Sequence, residues 1–207
     1  MTGRVFFTAD QHFGHKNIIE FCARPFEDVD HMNAALQDNW NRTVHPDDTV
    51  FVLGDFAMGK IDRTLQIVRR LNGTKFLVAG NHDRCWSPLR KSEQWAQTYL
   101  DAGFDDVINL LPGTTLSVGE DLVANHFPYQ GDSQEGDRYQ EWRPRDTGAV
   151  LLHGHVHTAW KWCTRQINVG VDVWDYRPVA LDTIKKIMPF TRDPRVTIHD
   201  TEGELCG

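Results

Sequence analysis

With 207 residues, 40% of them hydrophobic and 25% charged, the chain has the composition of a soluble globular protein long enough to bury a core. Its formal net charge of -7, from 29 Asp+Glu against 22 Lys+Arg, is the wrong sign for the broad basic footprint that holds long nucleic acid. No apolar run is long enough to span a bilayer, and the apolar stretch at the start, MTGRVFFTAD, is too short for a leader. Cys22, Cys85, Cys163 and Cys206 are scattered without a CxxC pair, so reduced thiols and a cytoplasmic location are expected.

A buried strand is predicted over residues 4–8, followed by an amphipathic helix over 29–44. In that helix Met32, Leu36 and Trp40 recur every four residues, and Asp28 or Asp30 caps the start. A second strand over 49–53 leads into a helix over 62–71, with Leu65, Val68 and Leu71 inward and Asn72-Gly73 ending it. A third strand over 75–79 completes a βαβαβ unit with right-handed parallel crossovers. A third helix is expected over 87–100. Short strands then follow over 106–110, 114–118, 122–125, 149–152, 167–173 and 178–180, punctuated by Gly113, Gly119, Gly148 and Gly170. Residues 127–146 form the longest irregular stretch and carry Arg138, Arg143 and Arg145; a loop of that length is more often functional than idle. Residues 189–207 read as an edge strand plus tail. No repeat or low-complexity linker divides the chain, so a single domain over 1–207 is expected, with its core at about 4–188.

The histidines and carboxylates fall where the strands end. Asp10 and His12 follow the first strand, Gly54-Asp55 the second, and Gly80-Asn81-His82-Asp83 the third; His126 follows a later strand, and His155 and His157 follow another in LLHGHVH. In α/β sheets ligands gather beyond the carboxyl ends of the strands, so these loops are expected to meet in one crevice. Singly, each has a plain structural explanation: Asp10 as a helix cap, Asp55 as a loop carboxylate, Asn81 as a turn residue. Together they form a donor set of imidazoles, carboxylates and a neutral amide, which suits Mn, Fe, Zn, Co or Ni. The H-x-H spacing on an extended segment would point both rings the same way. His15 is read either as a phosphate contact or as a capping or surface residue. His153 is read as buried or as a support behind the ligands, and His31, His45 and His199 as surface residues. The three arginines of 127–146 face substrate or solvent, and Trp174 and Tyr176 belong to the core or its rim.

Taken in order, D-Q-H at 10–12, G-D at 54–55, G-N-H-D at 80–83, a lone His126 and G-H-V-H at 154–157 resemble the motif series of the calcineurin-like metallophosphoesterases. The likeness runs from Arg4 to about Pro178, and the D-Q-H-F-G-H-K-N run is most similar to short bacterial and phage phosphodiesterases. The resemblance implies an α/β sandwich of two mostly mixed sheets flanked by helices. It also implies a binuclear centre: Asp10, His12 and His157 on one divalent ion, Asn81, His126 and His155 on the other, and Asp55 bridging, with manganese the first expectation. By the same resemblance a metal-bridging hydroxide attacks a phosphodiester in line while His82 serves as general acid. Asp83 would orient His82, and His15 or Arg143 would contact substrate or support the ligands. The expected partner is a small phosphorylated molecule, a nucleotide and in particular a 2′,3′-cyclic nucleotide, with no membrane or stable nucleic-acid complex and an oligomeric state left open. A phosphomonoesterase, a nuclease and a non-catalytic scaffold are the alternatives. The protein Ser/Thr phosphatases are disfavoured, because Met58 stands where their G-D-x-x-D-R-G motif has its second Asp.

Overall fold

The computed structural model describes residues 3–134, 136, 138–191 and 197–198. Two β-sheets pack face to face with helices outside, the α/β sandwich anticipated from the motif series. In the first sheet the order is β10-β1-β2-β3-β4, with β1 (Val5–Thr8), β2 (Thr49–Val52), β3 (Thr74–Val78) and β4 (Asp106–Ile108) parallel and β10 (Val179–Ala180) antiparallel to β1. The second sheet runs β11-β8-β9-β7-β6-β5, where β5 is Leu116–Gly119, β6 Leu122–Ala124, β7 Val150–His153, β8 Trp162–Cys163, β9 Gln166–Asn168 and β11 Thr197–Ile198. The central β6, β7 and β9 are parallel, and the outer pairs are antiparallel.

Strand alternation divides the core in two. Phe7, Leu53 and Val78 point between the sheets and meet Val150, Leu152, Ile167 and Val169 from the second sheet. Phe6, Val50, Val52 and Leu77 point the other way, under the helices. There α2 (Val29–Thr43) buries Met32, Leu36 and Trp40, and Asp28 caps it by accepting from the Asp30 and His31 N–H groups. Each such buried large side chain contributes about 1.5–3 kcal/mol.

Several boundaries differ from the sequence expectation. The helix expected over 62–71 is one α-turn, α3 (Ile61–Thr64), followed by a 3₁₀ helix at Leu65–Arg70. Leu65, Val68 and Leu71 are buried as predicted. Their spacing of three suits three residues per turn, so the tighter helix keeps all of them in one row. The helix expected over 87–100 is α4 (Ser92–Ala102). Ser87 precedes Pro88, which disfavours helical backbone, and its N–H is held by Asn109 Oδ1 at 2.8 Å. The strand expected over 167–173 stops at Asn168, turns at Gly170 and becomes a 3₁₀ turn at Val171–Val173. Two helices and a strand went unread: α1 (Lys16–Phe21), α5 (Leu181–Thr191) and β8. Pro189 therefore lies in a helix, and the edge strand of the C-terminal segment is the β11 pairing with β8; His199, Cys206 and the rest of 199–207 lie outside the described residues. Among the described residues no helix is long and apolar enough to cross a membrane.

Candidate active site

The two sheets are joined at the carboxyl ends of their central strands, where Ala9 pairs with Gly170 in a parallel bridge. Asp10 and His12, just beyond β1, are tied to the loop after β2 by their N–H groups, which donate to Gly54 O at 3.1 Å and Asp55 O at 3.0 Å. The loop after β3 joins them through Asp83. Its fully buried carboxylate accepts from the N–H groups of Asp55 (2.8 Å), Phe56 (3.0 Å) and Gly80 (3.0 Å). That corrects the expectation for Asp83, which fastens two loops together rather than orienting His82. Burial, with the Asp55 charge added, raises its carboxyl to about 7.

The seven residues expected to hold cations come together here. Asp55 Oδ2 lies 3.7 Å from His12 Nε2 and 3.6 Å from His126 Nε2, between the two halves of the group. On one side Asp10, His12 and His157 place donor atoms within 4.8 Å of one another, as do Asp10, Asp55 and His126. On the other, Asn81 Oδ1 stands 3.0 Å from His126 Nε2 and 3.1 Å from His155 Nδ1.

The local backbone is unusual. Asp10, His12, Asp55, His155 and His157 all have φ between 49° and 71°, the left-handed region that non-glycine residues seldom enter. Each costs on the order of 1–3 kcal/mol and persists only where surrounding contacts over-determine it. His155 and His157 therefore do not sit on an extended segment, and their rings do not point the same way. His157 lies beside His12 with centroids 5.1 Å apart, whereas His155 meets His126 edge-on at 5.3 Å. The glycines of the motifs have a steric reason. A Cβ on Gly54 would fall 2.4 Å from His126 Nδ1, one on Gly80 2.4 Å from Asp55 Oδ1, and one on Gly154 2.7 Å from Asp10 Oδ2.

The donor chemistry fits divalent cations. His126 Nδ1 lies 2.8 Å from Leu53 O, and a carbonyl can only accept, so Nδ1 carries a proton and Nε2 is the nitrogen that faces Asp55 and Asn81. His157 Nδ1 lies 3.2 Å from Asp172 Oδ2. His155 turns Nε2 towards Asp132 Oδ2 at 3.4 Å and offers Nδ1 inward. His12 sets Nδ1 against Met58 Sδ at 3.4 Å and leaves Nε2 buried without a hydrogen-bond partner, facing Asp55. Outer acceptors that fix imidazole tautomers are the usual support of metal-ligating histidines. Burial, with neighbouring His157, pushes His12 well below its ordinary range, and burial with His126 lowers His155 to about 3. Both rings are thereby neutral, the state a metal ligand requires. Burial opposes charging His157 too, but Asp10 and Asp172 outweigh it and raise that ring well above its usual value in the metal-free protein.

Arg24, Asp172 and Asp132 are supporting residues that pattern reading missed. Arg24, buried after α1, donates to Asp172 (2.7 and 3.0 Å), Asp10 O (2.8 Å) and Gln11 O (2.9 Å). Cys22, His157 and Asp172 also cluster within 4.8 Å. The guanidinium gripping Asp172 opposes a cation there, so Asp172, with Cys22 beside it, orients His157. No sequence spacing signals Arg24–Asp172, a pair 148 residues apart.

A cleft of about 420 Å³ opens onto the cluster, lined among others by His12, His15, Asp55, His82, Arg138, His155 and His157. His82 is exposed; its N–H donates to Asp55 Oδ1 at 2.9 Å and its ring lies 5.4 Å from that of His12. His15 precedes α1 but makes no side-chain cap; its Nδ1 lies 3.3 Å from His12 Nδ1. Arg143 is not among the cleft residues. It is buried, donating to Arg138 O at 2.9 Å with Asp132 at 3.9 Å, so Arg138 is the arginine of the loop that reaches the cleft. His153 is buried with its ring lowered to about 3 by desolvation, and His31 and His45 are exposed, as expected.

The model of the calcineurin-like phosphoesterase family matches residues 3–159, more than half of the chain. The protein belongs to that family. It is accordingly a metal-dependent phosphoester hydrolase, and the family's use of divalent metals agrees with the donor groups gathered at the strand ends. It is 32% identical over 209 residues to the gene 66 protein of Mycobacterium phage L5, covering 95% of this chain and 96% of that one. It is also similar to MJ1445, an uncharacterized protein of Methanocaldococcus jannaschii, at 29% identity over 95% and 97% of the two chains. The crystal structure of AQ665 from Aquifex aeolicus, a protein of unknown function, superposes with a TM-score of 0.67 at 26% identity, covering 89% of this chain and 99% of that one.

Proposed function

We propose that this enzyme hydrolyses small phosphodiesters, with 2′,3′-cyclic nucleotides as its substrates. In this reading Asp10, His12 and His157 hold one cation, Asn81, His126 and His155 hold the second, and Asp55 is shared. Two divalent ions, manganese by preference, supply Lewis acidity when bound, neutralising phosphate charge and lowering the pKa of water. The observation that carries the reading of an ester with an alkoxide leaving group is His82. Its backbone is pinned to the shared carboxylate while its ring lines the cleft, edge-on to that of His12. A phosphodiester with an alkoxide leaving group needs a proton at the moment of cleavage, and His82 is placed to hold one without spending it on a cation. His15 and Arg138 add polar contacts for phosphate oxygens, and a cleft of this volume takes a small molecule. The thiols of Cys22 and Cys85 support a reducing, cytoplasmic setting, and the acidic net charge disfavours a stable nucleic-acid complex.

The test is a turnover series with defined metals across 2′,3′-cyclic AMP, bis(4-nitrophenyl) phosphate, 4-nitrophenyl phosphate and a single-stranded oligonucleotide. The cyclic diester should lead. His82→Gln should lower kcat on it by about 10²–10⁴-fold with metal content unchanged, and much less on the nitrophenyl diester, whose leaving group needs no proton. Preference for the monoester, or full turnover after chelation, would refute the reading.

A further inference from the structure

The cleft has an apolar side that the phosphate chemistry leaves unused. Phe21, at the end of α1, is 71% exposed. Among the described residues the other exposed large hydrophobic side chains are Leu89 and Leu111, and neither lines the cleft, whereas Phe21 does. Ile18, Cys22, Val156 and Ala159 line it as well. The Phe21 ring stands 6.3 Å from that of His15, edge-on at 78°, and the His15 ring stands 5.2 Å from that of His12. Two ring-to-ring steps therefore lead from the candidate ligands to an uncovered aromatic face.

We propose that Phe21 is the platform on which the planar base of the substrate stacks, so that the cleft selects nucleotides over sugar phosphates. Stacking on an aromatic side chain is tolerant of base identity because every base has a π-face, and phenylalanine has no polar tip with which to discriminate among bases. The cleft thus divides into a phosphate end, at Asp55 and the histidines, and a base end, at Phe21. The inference deepens the nucleotide reading above and rests on it for what binds at the cation cluster, while the ring subsite has its own test.

Calorimetry on the manganese-loaded protein with adenosine 5′-monophosphate and with ribose 5-phosphate isolates the base, since both carry the same phosphate and sugar. The nucleotide should bind about tenfold more tightly, within the range of stacking effects. Phe21→Ala should abolish that advantage and leave ribose 5-phosphate unchanged, and Phe21→Trp should preserve it. Equal binding of the two ligands, no binding of either, or an advantage that survives Phe21→Ala would overturn the subsite. If cyclic nucleotides are not hydrolysed and the Phe21-dependent advantage is nevertheless present, the diesterase reading fails and the subsite stands.

Discussion

Around His157 the outer ring nitrogen is held by Asp172, which is gripped in turn by Arg24; around His155 the outer nitrogen faces Asp132, whose partners are Arg138 and Arg143. Both arrangements set a carboxylate behind an imidazole, but they differ in footing. The Arg24 and Asp172 side chains are fully buried and stand on core segments after α1 and β9. Asp132 and its arginines all belong to the 127–146 loop, where Asp132 and Arg143 are buried but Arg138 is 38% exposed. One half of the candidate metal centre is therefore anchored in the core and the other in a surface segment that also reaches the cleft. A buried ion pair loses far more when one partner is removed than a solvated one does. The His157 half should accordingly be the rigid reference, and the His155 half the one that tolerates change.

Asp55→Ala tests what both halves share and should have the largest effect. Removal of the carboxylate between His12 and His126 should cut turnover of bis(4-nitrophenyl) phosphate by about 10³-fold, the scale of losing a principal electrostatic group. Elemental analysis should also find less than half the wild-type metal. Unchanged metal content would show that the halves bind independently of Asp55. Asp172→Asn should come next. Manganese affinity measured by calorimetry should fall about 10–100-fold, and the thermal midpoint should drop clearly because Arg24 is left charged and unpaired in the core. Asp132→Asn should be the mildest, with less than about a tenfold loss of affinity, at the low end for a supporting residue. Its midpoint should fall less than that of Asp172→Asn, because Arg138 remains solvated and the buried Arg143, 3.9 Å from Asp132, keeps its bond to Arg138 O. Equal losses for the two Asn variants would erase the distinction between a core-anchored and a loop-anchored half.

Much of the frame was legible because it depends on local periodicity. The short β-branched and aromatic runs of β1, β2 and β3 and the four-residue recurrence of Met32, Leu36 and Trp40 announce themselves in a short window of the chain. The short helix α1 was not legible: it has six residues, no side-chain cap and Ile18 as its buried anchor. The change from α to 3₁₀ at Leu65 was also hidden, since a spacing of three serves both kinds of helix. Candidate ligands could be picked out because each follows a strand; their supports could not, because Arg24 and Asp132 carry no spacing signature.

The amino-acid order by itself determined the three parallel strands of the βαβαβ unit, which candidate ligands stand at strand ends, and that glycine precedes Asp55, Asn81 and His155. Only the tertiary structure decided that Asp55 Oδ2 lies 3.7 and 3.6 Å from the two histidine nitrogens, that His155 and His157 reach their separate halves from left-handed backbone, and that Arg24 reaches Asp172. The physical reason is that strand and helix patterns repeat over a few residues and are written locally. Tautomers, carboxylate partners and strained φ values are set by atoms that meet once the two sheets have closed on each other.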